Sequence, residues 1–192
     1  MQWYLTLCHV RKIIWPFDGN DIPNDCFVCT VDGVHCRISE PRGTPSKTWF
    51  SFKLKKAGLA YELAIGVFKG NLIWINGPFP AGETDLQIYR KPGGLKSKIP
   101  PGKRVIGDRI YSRSKEPTIS GRNPLDIKEV AELKERAKAR HETFNSRIKT
   151  FEILATRFRS TKNHLQKHKQ VFEACCVLVQ YDIDTGSPLF EV

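Results

Sequence analysis

Asp32 stands inside an apolar stretch, Cys26–Ser39 (CFVCTVDGVHCRIS), with Val31 before it and Gly33 after it. A carboxylate in such a run is costly to bury unless it has a partner. Asp108 follows a second short apolar run, Arg104–Ile106, and also adjoins a glycine. Glu142 lies in ARHETFNSRIK, within a long stretch free of Pro and Gly. Three carboxylates on separate elements can converge over the end of a sheet and hold two Mg²⁺ ions. Such ions activate an attacking oxygen and stabilise a leaving one in phosphodiester cleavage. Carboxylates suit the task because Mg²⁺ prefers hard oxygen ligands and keeps several waters. Two ions ~3.5–4 Å apart would draw the three acids to within roughly 8 Å of one another. Taken singly, each acid serves as readily as a helix cap or a surface ion pair, and spacing alone does not decide.

Lys149 follows Glu142 by seven residues, close to two helical turns, so the two share a helix face. A cation there could hold a phosphate beside a metal site. Arg136, Arg140, Arg147 and Arg157 extend the same basic run and are expected to contact phosphates as a group. Other groupings fit chemistry less well. Cys26, Cys29, His35 and Cys36 suggest zinc, but strand residues three apart point to opposite faces, which spoils a tetrahedral site. His164 and His168 are four apart and lack a third ligand. His141, next to Glu142, reads as a neutral surface histidine. Trp3, Trp15, Trp49 and Trp74 read as core or strand-face residues.

The elements that must position these groups alternate along the chain. Cys26–Ser39 is rich in β-formers and reads as a strand. Trp49–Val67 holds two apolar runs around Lys55–Gly58 and reads as a hairpin. Asn71–Gly77 is a further strand, stopped by PFPAGE. Thr84 can N-cap a short helix over Asp85–Arg90. Lys91–Gly102 is rich in Pro, Gly and Lys and reads as loop. Arg104–Ile106 is a short strand, and Ser112–Asn123 is polar. Asp126–Leu154 predicts a long helix, and Glu173–Leu178 a last apolar helix or strand. The class is mixed α/β, without internal repeats.

The 192 residues are 40% hydrophobic and 27% charged, which suits one globular domain spanning 1–192 and excludes disorder or a coiled coil as the main state. No apolar run approaches the ~18 residues needed to span a bilayer, and the opening segment lacks the pattern of a signal peptide. Six cysteines form no disulfide framework, so free thiols in a reducing compartment are expected. The chain is therefore expected to be neither secreted nor membrane-bound; acting on DNA, it would be nuclear if eukaryotic, otherwise cytoplasmic. Net charge is +11, and it is unevenly spread. Residues 1–90 carry 10 basic and 8 acidic residues, whereas 91–169 carry 21 and 8. Such an excess favours a polyanion, DNA above all.

Four segments sharpen this reading: VDGVHCRI, GPFPAGETDLQIY, VIGDRIY and RHETFNSRIK. In this order they resemble the DDE superfamily endonucleases of the Harbinger/PIF transposase type, with Val34 standing where that family usually has Thr. The resemblance runs from about Trp15 to Val192. It implies an RNase H-like core, a mixed sheet flanked by helices, and DNA cleavage with Mg²⁺ or Mn²⁺. Asp32, Asp108 and Glu142 would be catalytic and, with Asp85, would hold metal. Lys149, Arg147, Arg140 and Arg136 would contact DNA. Asp85 and Asp108 compete for the place of second acid. Strand topology favours Asp108, with Asp85 as an extra ligand or a helix cap. Complete transposases carry a DNA-binding region before the core, and the 31 residues before Asp32 leave no room for one. The expectation is either that the chain is a fragment or truncation of a longer protein, or that it is a domesticated nuclease borrowing a separate DNA-binding partner. The alternative is a domesticated, non-catalytic DNA-binding or interaction domain of the same fold.

Overall fold

The computed structural model describes residues 23–41, 43, 46–108, 111, 116, 118–159 and 164–192. Trp3, Trp15 and residues 112–115 and 117 of the polar stretch lie outside them. Strand β1 (Phe27–Arg37) is buried on both faces for most of its length, as a near-continuous run of β-formers requires. It pairs antiparallel with β3 (Lys56–Gly66), placing Asp32 opposite Leu63 and Gly33 opposite Glu62. Its other edge pairs parallel with β5 (Arg104–Ile106), but only over Phe27–Thr30. Asp32 thus lies just beyond the point where β5 stops.

The remaining strands complete a six-stranded mixed sheet. The two-residue β2 (Phe50–Ser51) and the longer β4 (Leu72–Pro80) both pair with β3, and β6 (Ile119–Ser120) pairs parallel with β5. β4 runs three residues past the expected stop at Gly77, because Phe79 and Pro80 still pair with Ala60 and Leu59 across an irregularity in register. β6 falls in the segment expected to be polar loop. Ile119 supplies its core anchor, and two residues are too few for a periodic signal.

Helices cover both faces. After α1 (Ser46–Trp49), α2 (Asp85–Arg90) begins as expected at Thr84, whose hydroxyl accepts from Gln87 N–H while the Gln87 side chain accepts from Thr84 N–H. A 3₁₀ turn (Leu95–Lys98) follows within the predicted loop. α3 (Lys128–Lys149) is shorter than the expected helix over 126–154. The chain turns at Thr150 and Phe151 before the single turn α4 (Glu152–Ala155). The last apolar segment is part of a much longer helix, α5 (His164–Thr185).

One apolar cluster lies between the sheet and α3, α4 and α5. In it Val34, Cys36, Leu59, Tyr61, Leu63 and Ile65 meet Phe144, Ile148, Leu154 and Phe172. The Tyr61 and Phe172 rings stack at 3.7 Å. A second cluster lies under α2, where Cys29, Val31, Ala64 and Val105 meet Tyr89 and Leu95. Cys29 and Cys36 therefore belong to opposite faces of the sheet. His168 is fully buried. Its Nδ1 is 2.8 Å from the Tyr61 hydroxyl, and burial pushes its pKa down to about 4. It is an internal packing residue.

Candidate active site

α3 runs alongside β1 and meets it through paired polar contacts. His141 Nδ1 lies 2.7 Å from Thr30 Oγ1, and Asn145 Nδ2 donates to Asp32 Oδ2 at 2.9 Å. His141 and Asn145 are one helical turn apart, as Thr30 and Asp32 are one strand repeat apart, so the two elements read each other in register. The second Asp32 oxygen accepts from Gly33 N–H at 2.8 Å. Both carboxylate oxygens are thus fixed on the stretch of β1 beyond its pairing with β5.

Around this point Asp32, Asp108 and Glu142 line one open pocket of about 240 Å³, together with Thr30, Lys53, Lys138 and His141. The three acids come from the middle of β1, the residue pair after β5, and the exposed side of α3. As they stand, no three His, Cys, Asp or Glu side chains among the described residues converge tightly enough to form a ligand set.

Asp85 opens α2 on the other side of β1, packed against Gly33. A Cβ at Gly33 would overlap its carboxylate, which is why the sequence reads Asp-Gly here. Asp85 Oδ1 lies 3.8 Å from His35 Nε2, and Oδ2 lies 3.2 Å from Lys53 Nζ. His35 Nδ1 is 2.7 Å from Ser51 Oγ, which already accepts from Leu54 N–H. The Ser51 proton is therefore free to donate to Nδ1, which leaves His35 Nε2–H directed at Asp85.

Lys53 ties the two sides together. Its ammonium donates to Gly33 O at 3.0 Å and to Asp85, and stands 3.8 Å from Asp32 Oδ1. Burial pulls its pKa down, but Asp85 and Asp32 outweigh that and hold it above the ordinary value. Burial pushes the Asp32 carboxyl above its usual range, with Asp85 and Asp108 adding to the effect and Lys53 and the Gly33 N–H opposing it. For Asp85 burial acts in the same sense, yet the His35 and Lys53 contacts outweigh it and the carboxyl lies below its usual range.

His141 is buried, not on the surface as its charged neighbours suggested, and burial drops its pKa to about 3. It is neutral at physiological pH. Its Nε2 is buried without a hydrogen-bond partner although the residue lines the pocket. Lys53, His141 and Asn145 are absent from the sequence-derived site. Asn145 shares a face with Glu142 three residues earlier, which is the one signal that could have drawn it in.

The expected DNA contacts divide. Lys149 and Arg157 are exposed. Arg136 is exposed, and its Nη2 donates to Glu191 O at 2.8 Å. Arg147 donates to Ser187 O and lies 3.3 Å from Asp182 Oδ2. Arg140 differs from these. It is buried, with Nη2 donating at 2.6 Å to both Gly66 O and Val67 O, so it straps α3 to the end of β3 and has no free donor face for a phosphate.

Residues 31–180 match the family model described as DDE superfamily endonuclease, and the chain belongs to that family. No curated protein and no solved structure matches it.

Proposed function

We propose that this DDE superfamily endonuclease cleaves DNA phosphodiesters with Mg²⁺ or Mn²⁺ held by Asp32, Asp108 and Glu142. The observation that carries the reading is the shared pocket: acids from a strand, a post-strand loop and a distant helix face one space. The donor chemistry fits a hard divalent ion, because the pocket wall offers carboxylate oxygens from three elements. Bound metal would supply Lewis-acid activation of an attacking oxygen and charge neutralisation at the leaving one.

The chain's own residues do the positioning. Gly33 N–H and Asn145 fix the Asp32 oxygens before any ion arrives. Asp108 takes the place of second acid because it lines the pocket, whereas Asp85 sits behind Gly33 and holds Lys53. Lys138 and Lys53 give the pocket positive walls that suit a phosphate. The strand order β4-β3-β1-β5-β6, antiparallel on one side of β1 and parallel on the other, supports an RNase H-like core. With the four segments in sequence, it favours the Harbinger/PIF type, DNA as substrate and, in a eukaryote, the nucleus.

The test is nicking of supercoiled plasmid with Mg²⁺ or Mn²⁺ and with EDTA. Wild type should nick only with metal. Glu142→Gln and Asp108→Asn should lose at least about 100-fold in rate while melting like wild type, since even outer-shell changes at metal sites cost 10–100-fold. Nicking that persists in EDTA, or in both variants, overturns the proposal. DNA binding without any nicking would instead favour the domesticated, non-catalytic reading.

A further inference from the structure

Among the described residues, Lys53 is the one cation that touches acids on both sides of β1. It emerges from the turn between β2 and β3, beside Lys55 and Lys56, yet only its ammonium reaches the acids. There it has Gly33 O at 3.0 Å, Asp85 Oδ2 at 3.2 Å and Asp32 Oδ1 at 3.8 Å. Those partners leave Lys53 anchored by Asp85 and Gly33 and less tightly held by Asp32.

We propose that Lys53 is the resident counter-ion of the metal site: its single ammonium charge partly offsets Asp32 and Asp85 in the metal-free protein, and a divalent ion must displace it from Asp32 to bind. This rests on Asp32 being a metal ligand. A divalent ion binds carboxylate oxygens at close range, and an ammonium within about 4 Å of the same oxygen repels it. Lys53 can yield without leaving, because the Gly33 carbonyl and Asp85 still hold it. It thus sets a threshold on metal affinity while easing the mutual repulsion of the carboxylates in the empty site. Released from Asp32, the ammonium stays on the pocket wall.

The experiment measures Mn²⁺ affinity, from the electron paramagnetic resonance signal of free Mn²⁺, in wild type, Lys53→Met, Lys53→Arg and Asp32→Asn. Thermal melts in EDTA and with Mg²⁺ accompany it. Lys53→Met should bind Mn²⁺ about tenfold more tightly than wild type, from the loss of one repelling charge at this range. It should also melt lower in EDTA and gain more from Mg²⁺. Lys53→Arg should stay near wild type on both counts. A purely structural lysine would lower stability and metal affinity together.

Wild type that binds no Mn²⁺, or Asp32→Asn that binds as tightly as wild type, overturns the metal site itself. Binding that depends on Asp32 but is unchanged or weaker in Lys53→Met overturns the counter-ion role alone. Should Lys53→Met fail to fold, acetylation of Lys53 in the wild-type protein, followed by mass spectrometry, gives the answer. Its labelling should rise on adding Mn²⁺, and unchanged labelling in protein that binds Mn²⁺ overturns the role.

Discussion

A carboxylate whose pKa is raised by burial costs stability when it ionises, and Asp32 is such a group. Its folded pKa lies above its unfolded one, so the folded state holds the proton more tightly. Stability therefore falls as pH rises through that window, and the cost persists at neutral pH. Asp32→Asn removes the charge and keeps the shape. The oxygen that accepts from Gly33 N–H can stay, and the new amide can donate to Asn145 Oδ1, which has no partner in the wild type, once that amide rotates. In EDTA near pH 7 the variant should match or exceed wild type, within about 1 kcal/mol. Its advantage should shrink as pH falls through the Asp32 pKa. A variant that melts well below wild type at pH 7 and closes the gap in acid would show a paired, stabilising Asp32 instead. The oddity of Asp32 is legible in the sequence, since an acid inside CFVCTVDGVHC needs explaining. Its partners are not. Lys53 is one of three similar lysines in FKLKK, and only the tertiary turn aims one of them inward.

Helix α3 shows why an element can be legible while its inner face is not. Its existence follows from residues free of Pro and Gly, but its buried stripe carries Lys134, Arg140, His141 and Asn145 among Ala137, Phe144 and Ile148. Hydropathy alone would turn those polar groups outward. Each is inside because a specific partner waits there. Lys134 Nζ donates to Asp126 and Ser120 at 2.7 Å, and Arg140 to the β3 carbonyls. The same blindness explains α5, whose long polar start hid its full length, and β6, which is held by sheet pairing and not by pattern. The strap predicts a clear phenotype. Arg140→Met leaves the Gly66 and Val67 carbonyls without their guanidinium donors at a buried helix–sheet junction, so it should cost about 2–3 kcal/mol in chemical denaturation. It should leave the salt dependence of DNA binding as in wild type. A stable Arg140→Met with weakened DNA binding would restore this arginine as a phosphate contact.

For the whole molecule, the charge is divided along the chain in a way the fold puts to use. Residues 91–169 carry an excess of 13 positive charges, while 170–192 carry four acids and no Lys or Arg. The acidic tail folds back on the basic helix. Asp182 and Ser187 engage Arg147, and Glu191 O takes Arg136. Part of the positive field is thus consumed internally, and the exposed remainder, with Lys149 and Arg157, is what DNA can meet. Each phosphate neutralised releases counterions, and the logarithm of affinity then falls with the logarithm of salt by about 0.9 per contact. Wild-type binding in EDTA should therefore weaken steeply between low and physiological salt. Lys149→Gln should lower the slope by about one contact. Arg147→Gln should change it less, because Asp182 already answers that charge. Asp32→Asn should leave the slope intact, since it alters the pocket and not the basic exterior. Measuring binding of one duplex by anisotropy across a salt series separates these cases. A flat dependence in wild type would assign the basic surface to a protein partner, and equal losses for Lys149→Gln and Arg147→Gln would mean that the tail does not shield α3 from DNA.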